Sequence, residues 1–224
     1  MRFRALLTIT FSVLLSNSMV GQKGFQNLAQ PSKPFTLAQI WTFDAIYTDQ
    51  QHGVTFRYPS VWGPTTQFGY HPPALTLSDE KPIAGFGYSE GGFPRDRVVG
   101  PYSATSLEGV GIVYSAVPMA SAAECEGQAS SLSATHEHRT VVLNTLSFTE
   151  HKTVSAGMSQ SNSGTLYATY VRPTCYLFET DVAVAWGVVD LVPALTPKQL
   201  RIIDTHLFEI MKSVRIEPRE RQRD

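Results

Sequence analysis

The sequence predicts an α+β fold in which an antiparallel β-sheet is covered by helices. Three observations predict it. Apolar–polar alternation marks strands early in the chain and again in a run of four in its second half. Two segments carry helix-capping signals, one between the strand groups and one after them. The helices are thus grouped rather than interleaved with every strand, which argues against a doubly wound parallel sheet.

The chain begins with an export pattern. Arg2 and Arg4 precede an apolar run from Ala5 to Leu15, and Ser16-Asn17-Ser18 supplies small residues for cleavage. Residues 1–18 are therefore expected to be a signal peptide. The alternative, a membrane anchor, is disfavoured because the run falls short of the roughly 20 residues that span a bilayer. Residues 19–39, with Pro31 and Pro34, are read as a linker. The domain is expected over 40–217, and 218–224 is a tail of interleaved Arg, Glu and Asp. Once the signal is removed, no later segment is expected to span a membrane. The expected location is periplasmic or secreted. A net charge of −1 leaves no basic footprint, so nucleic acid is not expected as a partner.

Phe43 to Thr48 and Val54 to Tyr58 read as a first hairpin, ended by Pro59. Ile83 to Tyr88 and Val110 to Val117 are two further strands, separated by a long Gly- and Pro-rich loop from Ser89 to Gly109. Ser121 and Glu124 have capping-box spacing, and Ala122, Cys125, Ala129 and Leu132 follow on one helical face. Thr140 to Leu143, Ser147 to Thr153, Leu166 to Val171 and Cys175 to Val184 form an antiparallel meander. Ser155 to Gly164 is read as a polar loop inside it. In the closing helix, Thr196 is the N-cap, Pro197 sits at N1 and Gln199 completes the capping box. Leu195 and Leu200 form a staple, and Leu200, Ile203, Leu207, Ile210 and Val214 make an apolar stripe. Cys125 on a buried helix face and Cys175 at a strand start are placed for a disulfide in an oxidising compartment. Two buried free thiols are the alternative.

Two pieces of this pattern resemble a known family. Tyr58-Pro59-Ser60-Val61-Trp62 directly follows the strand Val54-Thr55-Phe56-Arg57. The final helix runs through Ile210-Met211-Lys212-Ser213-Val214. Together they resemble the PsbP-like superfamily, which includes the extrinsic lumenal subunit of photosystem II, a Ran-binding nuclear import factor and small exported bacterial proteins of unknown function. The resemblance covers roughly Ile40 to Glu217. It implies an α/β/α sandwich around a central antiparallel sheet, and a tendency to bind protein partners. It implies no shared catalytic residues. The Gly-rich stretch from Gly85 to Gly111 is not part of the family pattern. Trp62 is read as a core plug beyond the strand-ending Pro59 rather than a ligand platform.

The motifs that could carry chemistry are few. Gly87-Tyr88-Ser89-Glu90-Gly91 has the spacing of a nucleophile elbow, with Asp190 and His206 following in order. Gly91-Gly92-Phe93-Pro94 is a poor helix start, however, and His206 lies in the closing amphipathic helix. Ser89 is therefore a weak nucleophile candidate. His136 and His138 could share one side of an extended segment, but no H-E-x-x-H or C-x-x-C accompanies them, and a solvated turn explains them better than a metal site. Phe86, Tyr88, Phe93, Arg95 and Tyr102 lie on or beside the glycine-rich loop. They are candidate contact residues, or else they pack into their own domain. The function expected is that of an exported, non-catalytic binding or interaction domain with another envelope or extracellular protein as partner. A small-molecule carrier with its pocket under the Gly-rich loop, and a serine hydrolase built on Ser89, are the alternatives. No cofactor is expected.

Overall fold

The computed structural model describes residues 35–217, apart from 68–71, 79–80, 90–99, 103–104, 136, 158–159 and 186–192. The proposed signal segment, Phe93, Arg95, His136 and Asp190 lie outside the described residues.

Alternation and turn chemistry produce two antiparallel sheets. The smaller holds β1 (Ala45–Asp49), β2 (Val54–Tyr58) and, from the far end of the chain, β10 (Arg215–Ile216), in the order β1-β2-β10. The larger consists of β3 (Gly63–Pro64), β4 (Ala84–Ser89), β5 (Leu107–Pro118), β6 (His138–Leu143), β7 (Leu146–Ala156), β8 (Gln160–Val171) and β9 (Thr174–Ala185), in the order β3-β4-β5-β9-β8-β7-β6. The helices are α1 (Leu37–Ile40), α2 (Ala74–Leu77), α3 (Ala122–Ser131) and α4 (Pro197–Ser213). The architecture is α+β, an antiparallel sheet covered by helices.

Side chains alternate across a strand, and the register sorts them into two cores. Ile112, Tyr114, Tyr167, Phe178 and Val182 face α4 and the small sheet, where Ile203, Leu207, Ile210, Val54 and Phe56 complete one cluster. Val113, Leu166, Cys175 and Leu177 face the other way, against Cys125 and Ala129 of α3 and Leu75 of α2. Burial on both faces explains why β9 is apolar on both faces on either side of Glu179-Thr180-Asp181. Cys125 and Cys175 form a disulfide that staples α3 to β9 across 50 positions, with Cα atoms 5.3 Å apart.

The local helix signals act largely as their chemistry dictates. Thr196 accepts from the Gln199 amide, and the Gln199 side chain reaches back to the Thr196 amide at 2.9 Å. Ser121 accepts from the Glu124 amide, but the Glu124 carboxylate turns to the Ala120 amide instead of completing a capping box. Trp62 is buried, donates its indole N–H to the Ile40 carbonyl at 3.1 Å and sits edge-on to Trp41. The segment read as linker already contains structure at its end, because Thr36 and Gln39 form a capping box that starts α1.

One larger correction concerns Ser155 to Gly164. Gln160 to Gly164 belong to β8, whose partners run from Ser161↔Val184 to Gly164↔Asp181. Asn162 and Gly164 share the face of Asp181, and Ser161 and Ser163 lie on the opposite face. No helix among the described residues is long and apolar enough to cross a membrane.

Candidate functional site

Ser89 and His206, which a hydrolase reading would combine, each have another partner. Ser89 ends β4, is exposed, and donates its hydroxyl to the Glu108 carbonyl at 3.0 Å. His206, on α4, lies flat against Trp41 with ring centroids 4.7 Å apart. Burial there pushes its pKa below the ordinary imidazole value, against the opposing pull of Glu209. Phe86 stacks on Tyr58 at 4.1 Å and packs against the core, while Tyr88 and Tyr102 are buried within it. His138, on the edge strand β6, stacks on the buried His151, whose Nε2 lies 3.2 Å from Glu126. Among the described residues, no three metal-ligating side chains converge.

Two polar sites occupy opposite faces of the same stretch of β7, β8 and β9. On the α2 side, Glu179 and Asp181 alternate with Thr180, so both carboxyls point into the interior, where their residues are 0% and 1% exposed. Glu179 accepts from the amides of Ala74 and Leu75 at 3.2 and 2.7 Å, and from the Thr153 hydroxyl at 2.6 Å. The carboxyl thereby ties α2 to the sheet. Asp181 accepts from the Asn162 amide at 2.7 Å. Gly164 makes room for this cluster: a Cβ there would lie 2.5 Å from the Thr153 hydroxyl, 2.7 Å from the Thr180 carbonyl and 3.0 Å from Asp181. Among the described residues no cation pairs with either acid. Desolvation raises both pKa values, that of Asp181 well above its ordinary value with a further push from Glu179. The pair is thereby biased toward its protonated form. Sealed beneath α2, it is placed for structure rather than for meeting a substrate.

On the α4 side the same strands floor an open cleft of about 280 Å³. Lys152 and Val154 come from β7, Ser163 and Thr165 from β8, and Thr180 and Val182 from β9. Asp204 and Leu207 of α4 form the wall. The Lys152 ammonium donates to the Thr165 hydroxyl at 2.8 Å and lies 3.8 Å from Glu150, which Arg139 already engages at 2.9 Å. Desolvation lifts the Asp204 pKa, against the opposing pull of Lys152.

No family model matches the sequence, and no curated protein matches it. Solved structures do. The cyanobacterial PsbP from Synechocystis is 12% identical, matched over 77% of this chain and 92% of its own, with a TM-score of 0.36. The Ran-binding protein Mog1p of Saccharomyces cerevisiae is 10% identical, over 77% and 94%, with a TM-score of 0.40. A Bacteroides thetaiotaomicron protein is 12% identical with a TM-score of 0.41; the match covers 80% of this chain and spans half the length of that one.

The two sequence pieces that carry the PsbP-like resemblance meet in the fold. The Ser213 hydroxyl at the end of α4 accepts from the Arg57 amide at 2.8 Å, one residue before Tyr58. This bond locks the closing helix to the strand that ends in Pro59.

Sequence reasoning named neither the acid pair nor the cleft. A signal for the first was present. Two acids spaced i, i+2 in an otherwise apolar strand, Tyr176-Leu-Phe-Glu-Thr-Asp-Val182, must share one face. No comparable signal existed for the cleft, because Lys152, Thr165, Thr180 and Asp204 come from four separate elements.

Proposed function

We propose that this protein is a non-catalytic binding module acting outside the cytoplasm, and that it takes its ligand in the cleft between α4 and strands β7–β9. The single observation that carries this reading is the cleft. It is concave, and it collects a cation, a carboxylate and hydroxyls over apolar walls, as ligand sites do. Two further features support it. The Ser89 hydroxyl is engaged by a backbone carbonyl and the His206 ring by Trp41, so neither is set for acyl transfer. The Cys125–Cys175 disulfide suits an oxidising compartment, in keeping with the N-terminal export pattern.

The test compares the mature wild-type chain with Ser163→Trp, which fills the cleft from an exposed strand position. Both are immobilised and incubated with extract of the producing cell's own envelope, and bound material is eluted and identified by mass spectrometry. The wild type is expected to retain a component that the filled variant does not. Equal recovery from both, with the variant folded by circular dichroism, would refute the assignment of the cleft.

A further inference from the structure

The cleft has a property that narrows its ligand. Lys152 and Asp204 line the same concavity, yet no ion pair joins them within 4 Å. Two opposite charges held apart over one cavity present separate docking points for an anion and a cation. A ligand carrying only a negative group would meet Lys152 but also the Asp204 carboxylate. A ligand carrying only a positive group would meet the reverse conflict. Glu150 lies 3.8 Å from Lys152 through one carboxylate oxygen and is held more closely, at 2.9 Å, by Arg139 through the other. The Thr165 hydroxyl holds the ammonium on the cleft side while leaving it donors to spare.

Shape and polarity restrict the choice further. A space of about 280 Å³ lies just below the ~300–1,000 Å³ typical of drug-sized ligands, which suits a single-residue molecule. Val154, Val182 and Leu207 provide an apolar wall, with Val154 left 57% exposed at the surface. Ser163 and Thr180 add hydroxyls beside it. We propose that this cleft binds a free α-amino acid with an aliphatic side chain, its carboxylate on Lys152, its ammonium on Asp204 and its side chain against Val154, Val182 and Leu207. The proposal rests on the reading of the cleft as the binding site and supplies its ligand class.

The test uses the full mature chain and isothermal titration calorimetry with L-leucine, isoamylamine and 4-methylpentanoate. The two analogues each lack one of leucine's charges. Leucine is expected to bind saturably at one site, and each analogue at least about tenfold more weakly. Lys152→Met should weaken leucine about tenfold and remove the preference for leucine over isoamylamine. Asp204→Asn should do the same with respect to 4-methylpentanoate. A purely structural role for either residue would weaken all three ligands alike. Absence of saturable leucine binding up to about 10 mM, or leucine binding that neither variant alters, overturns the proposal. If the wild type retains a protein in the envelope experiment but binds no amino acid, the ligand class falls while the binding-module reading stands.

Discussion

Breaking the Cys125–Cys175 bridge should cost this domain a substantial part of its stability, and the size of the loss can be worked from its position. The two cysteines are 50 residues apart, and both are buried between α3 and β9. Closing a loop of that length removes about 14 cal/mol/K of entropy from the unfolded chain, or about 4 kcal/mol at 25 °C. For a domain of this size each kcal/mol moves the unfolding midpoint by roughly 2–4 °C, so the expected drop is about 8–16 °C. The assay is thermal unfolding followed by circular dichroism. It is run on the oxidised wild type, the wild type with reductant, and Cys125→Ala/Cys175→Ala. Reduction keeps both sulfur atoms in the core and isolates the cross-link, whereas the double variant also removes packing and should fall at least as far. A midpoint lowered by less than about 2 °C on complete reduction would refute the entropic reasoning.

Three further outcomes follow from the polar face and the α4 junction. Asp181→Asn should gain stability relative to the wild type as pH rises from about 5 to 8. A carboxyl with a raised folded pKa contributes fully below its unfolded value near ~4 and loses that contribution as pH climbs through the folded one. Urea unfolding at several pH values measures this, and a wild-type-minus-variant difference independent of pH would contradict it. Gly164→Ala should cost about 1–3 kcal/mol in the same assay, because the new methyl meets the Thr180 carbonyl at 2.7 Å and that backbone atom cannot swing away. Ser213→Ala should cost about 0.5–1.5 kcal/mol by leaving the Arg57 amide without its side-chain acceptor; an unchanged unfolding midpoint would show that water replaces it.

The sequence by itself determined the elements whose causes are local. Thr196, Pro197 and Gln199 start α4 wherever it lies, and alternation sets which side chains of β2, β5 and β9 share a face. Pro59 ends its strand for want of an N–H. It offered Cys125 and Cys175, the chain's two cysteines, as partners of a bridge with free thiols as the alternative, and the packing of α3 on β9 joined them. What it did not determine is everything that depends on register between distant strands. Gln160 to Gly164 look like a loop until β9 is laid beside them; then Asn162 meets Asp181, and Gly164 leaves the gap that Thr153 needs. The polarity of Asn162 answers a buried acid rather than solvent, while Ser163 on the opposite face lines the cleft. The cleft was decided at the same level. Its charges come from β7 and α4, separated by 52 positions, and only the packing of that helix on that sheet sets Lys152 and Asp204 over one cavity without joining them.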